Sequence, residues 1–458
     1  MKPIEAACYW LAHRPPAAET RLEGSQRAEI AIVGAGLTGL WTALWLKTYS
    51  PGLDVAVVEQ GCAAYGASGR NAGLLSETID HSHALAIEHF GLDEARRLAR
   101  LGRDNIDEMT AFWHAQQIDC DYEPTGRMIV ALHDAHLAAL RHDVEVAARL
   151  GIDDYQLLDA TQTQAELRSP LYRGALSVPS GGLLNPVKLV DGLRRVALSR
   201  GVKIYERSPV SSIRDRRTIM HLVTPQGTLD ADKVVLATSA YTHHLLPRVL
   251  WRFIPLYDYI IVSEPLNDGQ IASIGWQRRQ GVTDCRNFFL YYRLTRDHRI
   301  LWGTSEAVYY PGNKVGTEQD HSQAHYRMLE ESFAAHFPQL NGLRFDYAWG
   351  GSICSTTRLT PYFGSAYGKK LWYGLGFTGH GLGSTHLAGK ILARLALEQS
   401  DDLLSLTLVT RKPLPYPPEP LRALAVRKVT RDLRRVDEGG RPSLLLRLLD
   451  RLGVGFSS

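Results

Sequence analysis

The chain has few of the features that mark disulfide-stabilised, zinc-binding or membrane-spanning proteins. Its 458 residues include only five cysteines, which are scattered and never closely paired, so we expect neither a disulfide framework nor a zinc cluster. The longest nearly apolar run, residues 30–46, contains three glycines and two threonines and is too short for an ordinary membrane span. Residues 1–28 are too rich in charge for a signal peptide. These absences favour a globular protein of the cytoplasm.

Positive and negative charges nearly balance over most of the chain, and an excess of positive charge is concentrated at its end. The formal net charge is only +4, but residues 411–458 hold eleven Lys or Arg and five Asp or Glu, a local balance of +6. The arginines there alternate with leucines and do not form an aromatic-lined groove, so no nucleic-acid partner is expected. Prolines mark a stiff connector at 413–420, and two short helices are predicted after it. We expect this tail to pack against the protein's own body or a second subunit, with reversible attachment to a membrane surface as the alternative.

A glycine motif near the start of the chain predicts a nucleotide-binding turn. Residues 29–33 predict a strand, and an apolar pattern at helical spacing follows Gly39. Gly34 permits a tight turn, Gly36 lets a pyrophosphate approach bare backbone, and Gly39 brings helix against strand. A second predicted strand ends at Glu59, at the spacing where dinucleotide-binding folds place the carboxylate that accepts hydrogen bonds from an adenosine ribose. The pattern predicts dinucleotide binding, and a Rossmann unit without a ligand is the alternative.

The segment after Glu59 is rich in small and hydrogen-bonding residues. Residues 65–73, Tyr-Gly-Ala-Ser-Gly-Arg-Asn-Ala-Gly, predict an irregular loop that wraps a polar ligand, or otherwise a plain flexible loop. Together with the first motif, this segment resembles the D-amino-acid oxidase (DAO) family of FAD proteins, especially its γ-glutamylputrescine oxidase-like and glycine/sarcosine oxidase-like branches. The resemblance implies that FAD is the cofactor and is contacted by Gly34, Gly36, Leu37, Thr38, Gly39, Glu59, Gln60, Ala67, Ser68, Gly69, Arg70, Asn71, Gly73 and Leu74.

A second glycine turn lies hundreds of residues later. Residues 371–376 predict a strand, residues 377–383 a glycine-rich turn, and a helical pattern follows. In the DAO family the equivalent turn meets the isoalloxazine ring, whose developing negative charge suits bare amides and a helix N-terminus. In that family a strand like the one predicted at 202–210 meets adenine through the backbone of its last residue. The resemblance therefore adds the cofactor contacts Val210, Thr238, Gly376, Gly379, His380, Gly381, Leu382 and Gly383.

The order of the motifs predicts an α/β fold in which a Rossmann-like FAD-binding domain is assembled from discontinuous segments. Residues 252–264 and 287–304 alternate in polarity and are rich in Tyr, Phe, Ile and Val, which predicts strands. These strands suggest an interleaved α+β substrate domain built on an antiparallel sheet. The predicted divisions are an N-terminal extension at 1–27, the FAD-binding domain at 28–90, 150–245 and 345–400, the substrate domain at 91–149 and 246–344, and the connector with basic helices at 401–458.

The resemblance implies an enzyme that oxidises a carbon–nitrogen bond of a small amine or amino acid. In such enzymes a hydride moves to N5 of the flavin, the imine is then hydrolysed, and oxygen or another acceptor reoxidises the flavin. Sarcosine-like N-methyl compounds, aminophosphonates and γ-glutamyl polyamines are all conceivable substrates. Two alternatives stay open: an FAD-dependent hydroxy-acid dehydrogenase that passes electrons to a quinone, and a tRNA-modifying FAD module.

Tyrosines and arginines of the predicted substrate sheet are candidates for contact with substrate. Tyr257 and Tyr259 share one face of a strand by two-residue alternation. Arginine could clamp a carboxylate or phosphonate, although an arginine bonded to structural carbonyls is the alternative. The candidate catalytic residues are Tyr259, Tyr291, Arg293, Arg358 and His380.

Cys354 raises the question of a covalent flavin, because sarcosine oxidases of the same family attach theirs to a cysteine near the corresponding position. The register differs slightly here, so we expect non-covalent FAD and a buried, inert thiol. No metal site is expected, because the histidines at 81, 83, 243 and 244 have no convincing set of partner ligands. Asp80 and His81 are instead expected at the entrance to the flavin.

Overall fold

A computed structural model describes residues 2–455 and contains two large β-sheets surrounded by helices. The strands, in chain order, are β1 (Gly24–Val33), β2 (Val55–Val58), β3 (Leu74–Leu75), β4 (Arg127–Ala131), β5 (Gln156–Leu158), β6 (Gly174–Val178), β7 (Gly182–Leu183), β8 (Lys203–Tyr205), β9 (Ser212–Asp215), β10 (Met220–Val223), β11 (Gly227–Leu236), β12 (Ile254–Ser263), β13 (Gly281–Asp284), β14 (Leu290–Leu294), β15 (Ile300–Thr304), β16 (Val308–Tyr309), β17 (Phe345–Ser355), β18 (Tyr362–Ala366) and β19 (Leu371–Leu375). The helices are α1 (Ile4–Ala7), α2 (Tyr9–Ala12), α3 (Leu37–Tyr49), α4 (Ala67–Arg70), α5 (His83–Phe90), α6 (Leu92–Ala115), α7 (Asp134–Arg149), α8 (Ala160–Glu166), α9 (Pro186–Ser199), α10 (Thr242–Leu245), α11 (Asp268–Ile274), α12 (Gln323–His336), α13 (Gly381–Leu397), α14 (Thr407–Thr410), α15 (Leu421–Asp437) and α16 (Leu444–Arg451).

The first sheet has a parallel centre, as the nucleotide motif requires. Its order is β18-β19-β11-β1-β2-β8, and every neighbouring pair from β19 to β8 is parallel. Both faces are covered, which explains why β2 and the end of β1 are continuously apolar. Ile30 and Ile32 face a core shared with α3, α9 and α13, whereas Ala31 and Val33 face Met220 and Leu222 of the β10 strand. This arrangement confirms the predicted Rossmann-like unit built from distant segments.

The second sheet is the antiparallel sheet that the sequence predicts. Its order is β16-β12-β15-β14-β13-β4-β6-β5, and β17 also pairs with β12. All of its pairs are antiparallel except β4 with β13. Every residue of β14 and β15 is buried, because β14 and β15 lie inside the sheet and are covered on both faces.

The predicted domain boundaries do not coincide with the two sheets. β5 and β6, expected in the FAD-binding domain, pair within the second sheet, and so does β17. β17 joins the second sheet because its apolar residues find a long antiparallel partner in β12, which lies far upstream in the chain. The boundaries at 150 and 345 therefore separate strands that belong to one sheet.

The N-terminal extension is an integral part of the fold. Trp10 of α2 donates a hydrogen bond of 2.9 Å from Nε1 to the carbonyl of Asn71, and Tyr9 donates one of 2.6 Å to Asp297 Oδ1. Arg14 forms an ion pair with Asp191 of α9. The boundary at residue 27 also falls inside β1, which begins at Gly24. Residues 2–14 thus connect the glycine-rich loop before β3 to the second sheet.

The C-terminal tail packs on the body of the protein. Arg422 of α15 is buried and donates to Asn313 Oδ1 at 2.8 Å, and Asp437 accepts hydrogen bonds from the amides of Asn287 and Phe288. Ser443 caps α16, because its hydroxyl accepts from the amide of Leu446. Among residues 2–455, no helix combines the length and the apolar composition needed to cross a bilayer.

One buried ion pair connects the glycine-rich loop to the segment that follows β16. Arg70 Nη1 lies 2.6 Å from Asp320 Oδ1, and the two side chains are only 3% and 4% exposed. The guanidinium also donates to the carbonyls of Tyr65 and Gly350. A buried pair of this kind is not a large net source of stability, but losing one partner leaves an uncompensated charge.

We expect Asp320→Asn to destabilise the protein by about 3–5 kcal/mol, because it leaves the Arg70 guanidinium buried without its counter-charge. The free energy of unfolding should be measured by urea titration followed by circular dichroism. Glu264→Gln is the control, since its partner Arg344 is 79% exposed and such surface pairs contribute less than about 1 kcal/mol. Equal stability of the two variants would contradict the assigned role of the Arg70–Asp320 pair.

Candidate active site

A large cavity lies where the first sheet meets the second. Its volume is about 890 Å³, within the range of about 300–1,000 Å³ for ligand pockets. It begins at the ends of β1, β2 and β11 and extends beneath β12 and β14 of the second sheet. Both glycine turns predicted from the sequence line it. The two motifs, distant in the chain, therefore open onto the same space.

The first glycine turn is shaped for close approach of a ligand to backbone. Gly34 has a φ of +109°, and a Cβ there would lie 2.7 Å from the carbonyl oxygen of Ala237. A Cβ at Gly36 would lie 2.7 Å from Ser68 Oγ, and a Cβ at Gly39 would collide with the Gly34 carbonyl. The N-cap of α3 is Gly36, which makes no side-chain cap, and Gly36, Leu37 and Thr38 line the cavity, so the positive end of the helix lies beside it.

Glu59 lies where the dinucleotide motif places its carboxylate. Its Oε2 accepts from the amide of Ala35 at 2.8 Å and its Oε1 from the amide of Gly61 at 2.9 Å. Burial raises the pKa of the Glu59 carboxyl, and these backbone amides oppose the rise. Each oxygen keeps a further lone pair for a hydroxyl donor in the cavity.

The segment predicted as an irregular loop contains a short helix, α4. It forms because Gly66, Ser68 and Gly69 permit a tight turn in which the amide of Gly69 donates to the carbonyl of Gly66. Ser68 Oγ accepts from the amide of Leu37 at 2.9 Å and so joins this helix to the first turn of α3. Asn71 Oδ1 accepts from the amide of Gly73 and orders the exit from the helix.

The second glycine turn begins α13, at the same edge of the sheet as the first. Gly379 has a φ of +85°, and a Cβ there would meet no atom within 4 Å. Asn105 of α6 donates to the carbonyl of Gly383 at 3.0 Å and contacts His386 Nδ1 at 2.7 Å, which holds the start of α13 in place. The open side of Gly379 therefore faces space that a ligand can fill.

Two neutral histidines lie beside the second turn. The rings of His81 and His380 are 4.5 Å apart, and both line the cavity. Burial lowers the pKa of His380 to about 4, and burial together with His380 lowers the pKa of His81 well below its usual value. Both imidazoles are therefore uncharged at neutral pH.

Comparison with known proteins identifies this architecture. A profile of the family described as "DAO: FAD dependent oxidoreductase" matches residues 29–395. The chain belongs to this family. It is 33% identical over 375 residues to gamma-glutamylputrescine oxidoreductase of Escherichia coli (strain K12), covering 82% of this chain and 84% of that protein. The protein is thus an FAD-dependent oxidoreductase of the DAO family.

Solved structures show the same fold at low sequence identity. L-proline dehydrogenase from P. horikoshii superposes with a TM-score of 0.68 at 17% identity and covers 84% of this chain and 96% of that one. Glycine oxidase from Geobacillus kaustophilus gives a TM-score of 0.66 at 22% identity and covers 84% of this chain and 99% of that one. These matches confirm the predicted fold class.

The cavity residues suit FAD as the cofactor of this family. The bare turns at Gly34 and Gly36 and the two helix N-termini suit a pyrophosphate and an electron-rich ring edge. Arg70 lines the cavity, and its Nη2 is a buried donor without a partner among the described residues. An unpaired buried donor of this kind is satisfied by a ligand acceptor.

Most of the predicted cofactor residues line the cavity, and four glycines do not. Gly39 and Gly69 have structural roles, because a Cβ would collide with the carbonyls of Gly34 and Ala64. The carbonyl of Gly73 accepts a hydrogen bond from Arg293, and Gly376 packs against Thr356. The remaining predicted residues that line the cavity are Gly34, Gly36, Leu37, Thr38, Glu59, Gln60, Ala67, Ser68, Arg70, Asn71, Leu74, Val210, Thr238, Gly379, His380, Gly381, Leu382 and Gly383.

Val210 reaches the cavity from a loop, not from a strand. A strand is predicted at 202–210, but the observed strand, β8, is shorter and ends at Tyr205. It stops there because the following residues, Glu206 to Ser208, direct their amides to Thr20, Gly61 and Glu59 outside the strand ladder.

The prediction that the face of β12 with Tyr257 and Tyr259 contacts the substrate is wrong. Leu256, Asp258 and Ile260 line the cavity, whereas Tyr257 and Tyr259 point into the core on the other side of the sheet. Tyr259 donates to the Gln319 carbonyl at 3.0 Å, and its ring stacks on His325. Tyr259 is therefore a core residue and not a substrate contact.

Both candidate arginines are structural. Arg293 donates to the carbonyls of Gly73, Leu184 and Leu294, and burial lowers its pKa to about 10. Arg358 donates to Thr360 Oγ1 at 2.7 Å and to the carbonyls of Arg411 and Pro361. Neither arginine lines the cavity.

Cys354 lies at the edge of the cavity, but its side chain belongs to a core. It packs with Leu236, Phe253 and Tyr362, and it pairs with Pro255 on the face of the sheet opposite to Asp258. Burial raises the pKa of the thiol far above its usual value, so the sulfur stays protonated and a poor nucleophile.

The polar pair on the cavity wall is Tyr291 and Asp258, of which only the tyrosine was predicted. Tyr291 donates to Asp258 Oδ2 at 2.8 Å, from β14 across the sheet. Burial raises the pKa of Asp258 to about 7, opposed by the Tyr291 hydrogen bond. Leu256, Asp258 and Ile260 lie on one face of the strand because side chains alternate between faces. Choosing the face of Leu256 and Ile260 as the inward one would have predicted Asp258 on the cavity wall.

The far wall of the cavity contains further polar residues that sequence reasoning missed. Arg127 of β4 lines it with an Nε that is buried without a partner in the described part of the chain. Asp143 of α7, Glu88 of α5 and Asp450 of α16 line the same region. These residues belong to no sequence motif and lie on four different elements. No local pattern in the sequence therefore predicts that they line one cavity.

Gly36→Val should reduce FAD binding by at least about tenfold, because each charge-assisted hydrogen bond lost to the pyrophosphate is worth about 1.5–3 kcal/mol. FAD content should be measured by visible absorbance and by extraction after denaturation, and affinity by titration of the apoprotein. Gly52→Ala is the control, since a Cβ at that surface turn meets no atom within 4 Å. Stoichiometric flavin in Gly36→Val would show that the turn does not bind the cofactor.

Proposed function

We propose that the protein oxidises the carbon–nitrogen bond of a small amine or amino acid, with non-covalent FAD as cofactor. The observation that carries this proposal is the continuous cavity that runs from the two glycine turns to the Asp258–Tyr291 pair. The names of its relatives support a nitrogen compound as substrate, since they include a gamma-glutamylputrescine oxidoreductase, a glycine oxidase and an L-proline dehydrogenase.

The two ends of the cavity suit the two ends of the cofactor. Gly34, Gly36 and the start of α3 would hold the pyrophosphate, and Glu59 would accept from the ribose. The backbone near Val210 would meet the adenine, and the turn at residues 379–383 would meet the isoalloxazine ring. The protonated, buried thiol of Cys354 supports a non-covalent attachment.

The protein's own residues orient the substrate and exclude water. Bound FAD supplies the hydride acceptor. Leu256, Ile260 and Phe289 supply apolar surface around the Asp258–Tyr291 pair, so a substrate carbon seated there is shielded from solvent. Tyr291 fixes the Asp258 carboxyl, and the neutral His380 leaves no positive charge from an imidazolium at the second turn.

The charges along the cavity favour a substrate that presents an amine. The predicted carboxylate clamps, Arg293 and Arg358, are structural. Within the part of the chain that the structure describes, five cavity acids form no ion pair with a basic side chain: Glu59, which would accept from the ribose, and Glu88, Asp143, Asp258 and Asp450. Arg127 is the cation available on the same wall for an acidic group elsewhere on the substrate.

Anaerobic mixing with a panel of compounds tests this function. Amines with an alkylammonium group should bleach the visible flavin absorbance, and sarcosine, glycine and proline test the amino-acid side of the proposal. Lactate and 2-hydroxyglutarate are the matched hydroxy-acid probes, and we expect them to leave the flavin oxidised. Bleaching by hydroxy acids alone would overturn the proposal in favour of a hydroxy-acid dehydrogenase. Oxygen uptake with peroxide release would then distinguish an oxidase from a dehydrogenase.

The tail presents a row of exposed leucines that supports contact with a membrane surface. Leu444, Leu448 and Leu452 are 77%, 56% and 57% exposed and follow one another at four-residue spacing along α16. Arg447 and Arg451 lie beside them, which suits anionic headgroups. The low cysteine number supports a cytoplasmic protein, so the surface would be the inner face of the membrane.

We expect the protein to sediment with phosphatidylglycerol vesicles and to be released by high salt. Leu448→Gln should weaken binding by about tenfold, because burying one leucine is worth about 1.5–3 kcal/mol. Leu198→Gln is the control, since that leucine is 42% exposed on α9, away from the tail. Absence of sedimentation with the vesicles, or an equal loss of vesicle binding in both variants, would exclude contact of α16 with a membrane surface.

A further inference from the structure

Asp258 is an acid on the cavity wall whose charge the protein does not balance. Its strand neighbours on the same face are the apolar Leu256 and Ile260, and β17 opposes it with Gly351. The nearest guanidinium beyond Gly351 is that of Arg70, which is already paired with Asp320. Among the residues that the structure describes, no basic side chain forms an ion pair with the Asp258 carboxylate.

Two other buried acids around the second sheet, Asp284 and Glu77, are compensated. Asp284 is paired with Arg286 and also accepts from the amide of Leu290. Glu77 is paired with Arg103 and accepts from the Tyr155 hydroxyl. An uncompensated carboxylate is costly to bury, and one that faces a ligand cavity is a candidate for binding a cation there.

The single hydrogen bond to Asp258 leaves one oxygen free. Tyr291 donates to Oδ2 at 2.8 Å, and no other side chain among the described residues donates to the Asp258 carboxylate. Burial and the neighbouring carboxyl raise the pKa of Tyr291 well above its usual value, so the phenol remains a donor. Oδ1 is thus available to a donor that enters from the cavity.

We propose that Asp258 binds the ammonium group of the substrate and removes its proton. This inference rests on the proposed function. The N–H bond of the ammonium breaks and an O–H bond forms at Asp258 Oδ1, so that an ammonium and a carboxylate become a neutral amine and a carboxylic acid. The neutral amine has the lone pair that assists departure of hydride from the adjacent carbon. Tyr291 is a positioning residue, because it orients the carboxylate without contacting the reacting nitrogen.

The proposal predicts how the reductive half-reaction depends on pH. In the wild type, the rate of anaerobic flavin reduction divided by the amine Kd should fall as the pH decreases through the titration of Asp258, because a protonated acid can neither bind nor deprotonate an ammonium. The charged and titratable groups that face Asp258 are Tyr291 from β14, whose pKa is raised well above its usual value, and the Arg70–Asp320 ion pair beyond β17.

Asp258→Asn should lower this ratio by about 100-fold or more at pH 8, the range expected for loss of a general base. Its acidic limb should move to the pKa of the free amine, because only amine that is already neutral in solution can then react. Tyr291→Phe should shift the limb to higher pH, because the carboxylate loses the donor that favours its charged form. Asp258→Glu should recover part of the rate. Asp346→Asn is the matched control, since that acid lies on the surface, paired with Arg299. An unchanged pH profile in Asp258→Asn would overturn the proposal.

A measurement on the apoprotein tests the same carboxylate without turnover. A raised pKa in the folded state means that wild-type stability falls as the pH rises from about 4 to about 7, the interval between the unfolded and folded pKa values. Asp258→Asn should remove this fall and be the more stable protein at pH 8, whereas Asp346→Asn should keep it. If no amine bleaches the wild type, the proposed function fails; if amines bleach wild type and Asp258→Asn alike, only the role of Asp258 fails.

Discussion

The fold depends on one constraint: two strand–glycine–helix units must end at the same edge of one parallel sheet. β1 and β19 flank β11, so the helices that follow them, α3 and α13, begin side by side. Their N-termini expose amides and partial positive charge toward one volume. Glycine at 34 and 39 is needed because a side chain would collide with neighbouring carbonyls. Both turns line the cavity, so it lies where these two helices begin.

Buried polar contacts hold the second sheet against this edge. Arg70 reaches Asp320, and Arg293 of β14 donates to the carbonyls of Gly73 and Leu184. Arg293 donates to backbone carbonyls and does not line the cavity, whereas Arg70 lines it and keeps Nη2 without a partner among the described residues. The N-terminal helix α2 adds Trp10, whose indole donates to the carbonyl of Asn71 in the same loop. The position of the cavity wall is therefore fixed from several sides.

The chemistry of the wall follows from which face of β12 is turned inward. Leu256, Asp258 and Ile260 face the cavity, whereas Tyr257 and Tyr259 complete an aromatic core with α12. In that core the ring of Tyr259 stacks on His325 and makes an edge contact with Tyr326. Aromatic rings of this size fill a large buried volume. The cost of the arrangement is a lone carboxyl at Asp258 in apolar surroundings. An amine substrate offers the missing positive charge.

The sequence alone determined the nucleotide-binding unit, because glycine turns and buried strands act through local backbone geometry and hydrophobic periodicity. It also identified Tyr291, His380 and most residues of the two turns. It did not determine the inward face of β12, since a shift of one residue exchanges the two faces of a strand. Nor did it determine the partners of Arg293 and Arg358, or the meeting of Asp258 with Tyr291, because those depend on distances between segments remote in the chain. Only the packing of the second sheet decided them.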